Sequence, residues 1–462
     1  MTTDMTRVPF NEPRIHPSES IDFELPDDIP SNYQFSTGTS TSAITERSEI
    51  LPNSWFPLSS ISGEIQDIVI PLRNAVDPKE ERYLDEIYFQ IVCQLLDHLP
   101  QLTIHTPVES EEEQRMVLRR IAELESHRNW RLSQVNVWVE PGASILFREW
   151  AQDHMIVLVS ERNPANKILL KKLQERSGSL ADVLASVHEG IQASKKGSIE
   201  FDGGNILVDE NFILIGADEI TNTQKLYPDQ SEEEIKERFA QHFQIPADNI
   251  YWVAGPTAFP WKTKHRCKDL LWTHKLNLWS GTRQPVFHLD QFISLAGRKQ
   301  GGKYHILVGK LNQESYQPDH SDWPSELLVH WQEAVQTLEE GLDLIAQNLA
   351  EHSDFHIIRN PLALTFWDEP EGNNSNHFTR CWFLASYNNV ITQRTKDRSI
   401  VFLPSYAFDY ESGDWSNLQR IESENQRTWE KLGYEVQFFG DCLPLARRRG
   451  GPHCMLKIFN RT

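Results

Sequence analysis

Hydrophobic residues recur along the chain with two different periods. Stretches in which apolar residues return every three or four positions predict amphipathic helices, because such residues share one helix face. The first two such stretches also begin with acidic turns, which are typical of a helix N-terminus. Five stretches have this helical spacing: YLDEIYFQIVCQLLDHL, EEEQRMVLRRIAELE, LADVLASVHEGIQAS, SEEEIKERFAQHF and ELLVHWQEAVQTLEEGLDLIAQNLA.

Short β-rich runs lie between the predicted helices and share one form: a strand, a turn and a second strand. The instances are REWAQDHMIVLVS, FDGGNILVDENFILIGA, FHLDQFISLAGRKQGGKYHILVG, WFLASYNNVITQRTKDRSIVFLPSY and GGPHCMLKIFN. Their recurrence between helices predicts an α/β array closed around a centre. Polar residues stand at the starts of these strands, and in a closed array those starts can converge. That convergence would gather residues from most of the chain: Asp153, Asp202, His288, Asp290 and Cys454.

The region before these elements has a different composition. Up to about STGTSTSAITERS it is rich in Ser, Thr, Pro and Asp and has no hydrophobic period. Such a composition buries too little apolar surface to offset the entropy lost on ordering. We therefore expect residues 1–52 to form a flexible or extended N-terminal tail and residues 53–462 to form the folded domain.

Charge and cysteine content narrow the classes of function. The formal net charge of −21 argues against a nucleic-acid partner, and it suits a cationic substrate, although solubility alone also explains it. Without a secretory leader or an apolar run of about 18 residues, we expect a cytoplasmic protein with no membrane partner. The sequence does not fix the oligomeric state, and a homo-oligomer is compatible with it. The odd number of dispersed cysteines indicates reduced thiols: Cys93, Cys267, Cys381, Cys442 and Cys454.

Taken singly, each candidate residue also has an ordinary structural explanation. Cys454 could be a buried thiol in a closing strand, because free cysteine often packs as a small hydrophobe. Asp202 could start a tight turn with the glycines that follow it. His288 and Asp290 have the i, i+2 spacing of one strand face, which could form half of a metal site. No companion cluster of ligands accompanies them, so we expect no metal.

Taken together, the motifs resemble those of the guanidino-group-modifying enzymes, the pentein superfamily. The resemblance rests on WAQDH, FDGGN, HLDQFIS, LASYNNVIT followed by VFLPSY, and the terminal GGPHC, in the family's order. It covers the chain from about Trp55 onward and is nearest to agmatine and peptidylarginine deiminases. It implies a five-bladed α/β propeller of strand-turn-strand and helix repeats, in agreement with the five units above, preceded by an N-terminal extension. Residues 53–462 would then be the catalytic domain.

The resemblance assigns a role to each of the five distant residues. It makes Cys454 the nucleophile and His288 the general acid and base. Asp153 and Asp290 would bind the guanidinium, and Asp202 would orient the histidine. That last position is commonly Glu, and Asp202 is one methylene shorter. Its contact with His288 could therefore be longer, mediated by water, or replaced by a contact with the guanidinium.

Further residues of the motifs are candidates for substrate binding. Trp150 precedes the first acid, and Gly451, with Gly450, would let the backbone approach the substrate. Arg283 could contact a carboxylate or peptide backbone, or be an ordinary surface arginine. Asn388 could line the pocket, although turn and strand packing explain it as well.

The implied activity is a hydrolase of C–N bonds. A thiol attacks a guanidino carbon, and the loss of ammonia produces a covalent thiouronium. Water then releases a ureido product, so no cofactor is needed. The substrate would be a small cationic guanidino compound such as arginine or agmatine, or an arginine-containing peptide; Gln152 in WAQD is like the peptidylarginine group. One alternative is an amidinotransferase that passes the amidine to an amine. The other is a catalytically silent binding protein of the same fold.

Overall fold

The structure is a computed structural model that describes most of the chain. The described residues are 55–71, 78–125, 128, 131–140, 150–175, 178–194, 197–254, 278–283, 286, 288–298, 302–311, 325–370, 377–406, 416–448 and 450–462. The predicted tail, residues 1–52, lies outside them.

Nine helices occur in this part of the chain. They are α1 (Pro78–His98), α2 (Glu111–Glu125), α3 (Leu180–Val187), α4 (Asp218–Gln224), α5 (Glu232–Phe243), α6 (Ser325–Ala350), α7 (Ser416–Lys431), α8 (Leu443–Arg447) and α9 (Pro452–Met455). Four predicted helices are confirmed as α1, α2, α5 and α6. The prediction for LADVLASVHEGIQAS is right only for its first half. There the chain leaves the helix at His188 in an extended conformation, and Gly190 has a φ of +80°. The remainder pairs as a strand.

Nineteen strands accompany the helices in the described residues. They are β1 (Trp55–Pro57), β2 (Ile65–Val69), β3 (Thr103–Val108), β4 (Val135–Val139), β5 (Met155–Ser160), β6 (Lys167–Lys171), β7 (Ile191–Ala193), β8 (Ile206–Val208), β9 (Ile213–Gly216), β10 (Ile250–Val253), β11 (Leu278–Arg283), β12 (Ile293–Arg298), β13 (Tyr304–Leu311), β14 (Phe355–Pro370), β15 (His377–Ala385), β16 (Ile391–Arg394), β17 (Ser399–Ser405), β18 (Glu435–Asp441) and β19 (Lys457–Arg461).

These strands form five separate sheets within the described residues. Their strand orders are β1-β5-β6-β7, β10-β9-β8, β11-β15-β14-β13-β12, β16-β17-β18 and β19-β2-β3-β4. The sheets mix antiparallel hairpins with parallel pairs, as expected for a mixed α/β fold. Each of the five units found in the sequence contributes strands to a different sheet: β5, the β8–β9 hairpin, the β12–β13 hairpin, the β16–β17 hairpin and β19.

One sheet joins distant parts of the chain. Strand β19 pairs antiparallel with β2, and β2 pairs parallel with β3. The segment that carries Cys454 is therefore held by residues almost four hundred positions earlier, such as Val69 opposite Lys457. Arg461 reinforces this junction by donating to backbone carbonyls of Ser60, Ile61, Gly63 and Thr392. The pairing brings the C-terminal motif into the body of the fold.

Among the described residues, the buried apolar side chains form one large cluster and three smaller ones. The large cluster joins faces of α1, α2 and α6 to strands of several sheets. Burial of such surface contributes roughly 25 cal/mol per Å² and is the main force that holds the sheets in place. In the described helices, none is long and apolar enough to cross a membrane.

Candidate functional site

The candidate residues occupy equivalent places in the fold, because each lies just upstream of a strand in a different sheet. Asp153 precedes β5, Asp202 precedes β8, Asp290 precedes β12 and Cys454 precedes β19. A polar residue before a strand lies at the end of its sheet, where the chain is free of ladder hydrogen bonds. The common position allows residues that are distant in sequence to meet.

Short turns carry these residues rather than the strands themselves. Three are single 3-10 turns, Ala151–His154, Gly203–Asn205 and Leu289–Gln291. The i, i+2 strand spacing predicted for His288 and Asp290 is therefore wrong: His288 is extended, but Asp290 lies inside the turn. Cys454 likewise lies in the one-turn helix α9 rather than in the closing strand. The site residues therefore lie on or beside tight turns that precede strands.

Cys454 is buried and hydrogen-bonded on two sides. Its Sγ lies 3.2 Å from Asp290 Oδ2 and accepts from Asn389 Nδ2 at 3.1 Å. Asn389 also accepts from the backbone N–H of His453 at 2.9 Å, so its amide holds the turn that carries the thiol. His453 Nδ1 lies 2.9 Å from the same Asp290 oxygen. The nucleophile candidate and its acidic neighbour thus belong to one rigid group.

Asp290 has one carboxylate oxygen engaged and one oxygen unused. Its Oδ2 meets Cys454 and His453, whereas its Oδ1 is buried and has no hydrogen-bond partner among the described residues. The residue is 2% exposed. Buried acceptors are nearly always paired, so an unused one beside a thiol calls for a donor from outside the chain.

His288 lies between two other carboxylates. Its Nε2 is 3.5 Å from Asp202 Oδ2, and its Nδ1 is 3.9 Å from Asp153 Oδ1. Burial would lower the pKa of the imidazole, but the charges of Asp153, Asp202 and Asp290 outweigh burial and raise this pKa to about 10. At neutral pH the ring is an imidazolium and can donate a proton.

Asp153 is fixed by the backbone of the neighbouring turn. Its Oδ1 accepts from the N–H of Gly204 at 3.0 Å. Burial raises the pKa of the Asp153 carboxyl, the positive charge of His288 opposes that rise, and the negative charge of Asp202 adds to it. A Cβ on Gly204 would lie 2.7 Å from His288 Nδ1, so only glycine leaves room for the ring here.

Asp202 is paired with a lysine as well as with His288. Its Oδ1 lies 3.0 Å from Lys172 Nζ. Burial would raise the pKa of Asp202, but the hydrogen bond with His288 and the ammonium of Lys172 hold it well below its usual range. Burial would likewise lower the pKa of Lys172, and Asp202 reverses this and raises it. Asp202 is therefore ionised and Lys172 charged at neutral pH.

The electrostatic environment keeps the resting thiol protonated. Burial, with added repulsion from Asp290 and Asp153, raises the pKa of Cys454 well above its ordinary value. The carboxylates that would attract a cation are thus the groups that suppress the thiolate. A bound cation between them would cancel their charge and favour the thiolate.

The other predicted binding residues divide into two groups. Trp150 packs against the turn before Cys454, since a Cβ on Gly450 would come within 2.3 Å of its ring. Gly451 lies against Asn389, whose Oδ1 would be 2.3 Å from an added Cβ. Asn388 instead bonds to Asn360, Ser294 and Leu307, with no described contact to the thiol. Arg283 ends β11, and its side chain is outside the described part of the structure.

Two residues at the site were missed from the sequence. Asn389 stands just before β16, the same position that marks the other candidates, and this shared position was the available signal. Lys172 comes directly after β6, and β6 is not one of the strands that the site turns precede. No signal in the sequence therefore distinguishes Lys172 from Lys171. In the residues that the structure describes, no group of three or more His, Cys, Asp or Glu could hold a metal ion.

Comparison with solved structures identifies the fold. The C. jejuni agmatine deiminase superposes with a TM-score of 0.51 at 11% identity, over 90% of this chain and 99% of that one. The X-ray structure of another protein, provisionally assigned as an agmatine deiminase, superposes with a TM-score of 0.55 at 13% identity, over 88% of this chain and 96% of that one. No protein-family model and no curated protein sequence matches this chain. The structural matches confirm the likeness to agmatine deiminases at the level of the fold.

Proposed function

We propose that this protein is a cysteine-dependent deiminase of guanidino compounds. The observation that carries the proposal is the unused, buried Oδ1 of Asp290 beside the thiol of Cys454. A guanidinium supplies what this pair needs, because it is a planar cation that donates several N–H bonds. The fold shared with agmatine deiminases supports the same class of substrate.

Substrate binding prepares the thiol. The guanidinium donates to Asp290 Oδ1 and to Asp153, which fixes its plane with the carbon facing Cys454 Sγ. Its positive charge offsets the two carboxylates that raise the thiol's pKa. The thiol therefore loses its proton to solvent in the presence of substrate, and an empty site stays unreactive.

The first half-reaction expels ammonia. The thiolate forms a C–S bond to the guanidino carbon, and the electron pair of the C=N bond moves to nitrogen. His288, protonated at neutral pH, gives its proton to the departing nitrogen, and the C–N bond breaks. The products of this step are ammonia, a thiouronium on Cys454 and a neutral imidazole.

The second half-reaction restores the enzyme. A water molecule gives a proton to neutral His288 and adds its oxygen to the thiouronium carbon. The C–S bond then breaks and the sulfur leaves as thiolate. The proton of the added hydroxyl passes to this thiolate, so the thiol is restored and the carbon retains the oxygen as a ureido group. His288 is again an imidazolium, and Asp202 stabilises the positive charge whenever the ring is protonated, from its position near Nε2.

The same proposal extends to the architecture. The five sheets are the blades of a closed five-bladed propeller formed by residues 53–462, and each blade brings one polar turn to the centre. This arrangement accounts for the common position of the candidate residues upstream of strands in different sheets. It also accounts for the pairing of β19 with β2, which would close the ring.

Turnover of guanidino compounds tests the proposal directly. The purified protein is incubated with arginine, agmatine or an arginyl peptide, and ureido product and ammonia are measured together. We expect equal amounts of the two from at least one substrate. Cys454→Ala should abolish turnover, because it removes the thiol that lies 3.2 Å from Asp290 Oδ2. Cys93→Ala, which removes a buried thiol in α1, is the matched control and should keep activity.

The two alternatives give different results in the same assay. An amidinotransferase would require an amine acceptor and would form no ureido product. A silent binding protein would be inactive with every guanidino compound, and Cys454→Ala would not change its binding of a partner. Either result would overturn the proposed hydrolase.

A further inference from the structure

Asp202 divides its carboxylate between two cations at unequal distances. Its Oδ1 is 3.0 Å from Lys172 Nζ, and its Oδ2 is 3.5 Å from His288 Nε2. A strong charge-assisted bond between nitrogen and oxygen spans about 2.7–2.9 Å, so the contact with the imidazole is long. Of these two contacts, the one with Lys172 is better able to fix the carboxylate.

Exposure makes such an anchor necessary. The Asp202 side chain is 44% exposed, whereas that of Lys172 is 22% exposed. A carboxylate that is almost half in solvent can rotate toward water, where it regains hydration and rotamer freedom. A lysine that is mostly buried can oppose this rotation, because its own position is restricted.

The backbone of Asp202 is already fixed relative to that of the histidine segment. The N–H of Asp202 donates to Glu219 Oε1 at 3.1 Å, and Asn205 Nδ2 donates to the same oxygen at 2.9 Å. Asn205 Oδ1 in turn accepts from the N–H of Leu289, next to His288, at 3.2 Å. With the two backbones held, the Asp202 side chain still has its own torsional freedom relative to the imidazole.

We infer that Lys172 is a positioning residue of the candidate active site: its ammonium anchors Oδ1 of Asp202 and so keeps Oδ2 turned toward the imidazole of His288. The inference rests on the proposed function, in which His288 transfers the protons. The opposite relation is that Lys172 competes with His288 for the carboxylate. Removing the lysine would then shorten the contact between Asp202 and His288 instead of releasing it.

Lys172→Met separates the two relations. If Lys172 is an anchor, kcat falls by about ten- to a hundredfold, since an oriented proton-transfer group contributes roughly 10²–10⁴. The alkaline limb of the kcat profile also moves to lower pH, because the imidazolium loses one of the carboxylates that stabilise it, and KM changes little. Lys172→Arg, which keeps a cation, should retain most of the activity. An unchanged or higher kcat in Lys172→Met would overturn the inference.

Two further variants make the test specific. Lengthening the acid in the double variant Lys172→Met, Asp202→Glu should recover at least about tenfold in kcat, because the longer side chain can reach the ring without an anchor. Lys171→Met is the matched control: Lys171 is the preceding residue and pairs with Asp182 at 2.8 Å, outside the site. It should leave the pH profile unchanged. Failure of Glu to restore any activity would count against the anchor.

A measurement without turnover distinguishes this inference from the proposed function. Histidine labelled with ¹³C in the ring is titrated by NMR from neutral to alkaline pH in the whole protein, and the His288 signal is assigned by its loss in His288→Asn. Lys172→Met should lower the pKa of His288 by about one unit, the equivalent of a tenfold change in equilibrium. An unchanged or higher pKa overturns the anchor even in an active enzyme. The expected shift supports it even if no guanidino compound is turned over.

Discussion

Two adjacent asparagines lie in buried polar regions of opposite character. Asn388 belongs to an amide cluster in which its Nδ2 reaches Ser294, Leu307 and Asn360, while Asn360 also bonds to Asn425. Asn389 belongs to the candidate site, where it bonds to the thiol and where the neighbouring Asp290 keeps an unused buried oxygen. A fully paired buried network stabilises a fold, whereas an incompletely paired one is ready to accept a ligand.

Charge distinguishes the same two regions. The amide cluster is neutral, so its contribution to stability does not depend on the ionisation of its members. The site instead holds the imidazolium of His288 among several carboxylates, and burial raises the pKa of Cys454. Burial of carboxylates whose pKa is raised, such as that of Asp153, costs stability in the empty protein, and in the proposed function these carboxylates bind the cation. Substitutions in the two regions should therefore have different effects on activity and on stability.

Asp290→Asn should produce the largest effect. Without this carboxylate the guanidinium loses its charged partner, and we expect turnover to fall by at least about a thousandfold. The thiol should nevertheless react faster with iodoacetamide at neutral pH, because a negative charge that raises its pKa is gone. Activity and alkylation rate are measured on the same preparation. Alkylation that slows or stays constant would contradict the electrostatic account of the site.

Alanine at the two asparagines should give opposite results. Asn388→Ala leaves several buried partners unsatisfied, so we expect the free energy of unfolding to fall by about 2–3 kcal/mol while kcat of the folded protein is kept. Asn389→Ala should lower kcat by at least about tenfold, because the thiol turn loses its clamp, with a smaller loss of stability. Urea unfolding and steady-state kinetics on both variants check this, and the reverse assignment would remove the distinction.

Gly451→Ala should have a smaller effect that depends on Asn389. The new Cβ would lie 2.3 Å from Asn389 Oδ1, so the turn before Cys454 must shift. We expect kcat to fall by about tenfold, since small displacements of a nucleophile are costly. In an Asn389→Gly background the colliding side-chain atoms, including the Cβ that lies 2.9 Å away, are absent, and the additional loss caused by Gly451→Ala should largely disappear. Additive losses would show that the glycine acts in another way.

The dependence of stability on pH should also distinguish the charged site from the neutral amide cluster. The pKa of His288 is about 10 in the folded protein and about 6.5 when unfolded, so the folded state binds more protons between these values. The resulting stabilisation is complete below pH 6.5 and is lost as pH rises through about 10. His288→Asn should therefore unfold with a flatter dependence on alkaline pH, measured by urea titration. A slope equal to that of the unaltered protein would contradict the raised pKa.

Periodicity predicted much of the fold, because amphipathic spacing reports directly on burial. It succeeded for α1, α2, α5 and α6, whose apolar residues pack on sheets. No helix was predicted at α7, because its buried residues Leu418, Ile421 and Trp429 are too sparse among polar ones to form a clear stripe. The strand spacing expected for His288 and Asp290 was wrong because a 3-10 turn and a strand start share the same short polar pattern.

The geometry of the candidate site was harder to predict from the sequence than the helices and strands were. The motifs brought forward the five residues that the structure gathers, but the contacts among them depend on which turns meet. Asn388 was named from the sequence as a candidate pocket residue, whereas the next residue, Asn389, contacts the thiol. The direction of a side chain at the start of a strand depends on backbone angles, which the amino-acid sequence does not specify. Lys172 became visible only through its distance to Asp202.

The placement of one site residue per sheet has a consequence for how the protein can change. Because Asp153, Asp202, Asp290 and Cys454 come from four separate turns, no fragment that lacks one of their sheets can carry a complete site. In the proposed enzyme, activity would therefore appear only after all the sheets that carry these turns have assembled. The sequence of one turn can also change while the other turns stay as they are. In the proposed enzyme, substrate preference could then change through one turn while the remaining turns hold the reacting atoms in place.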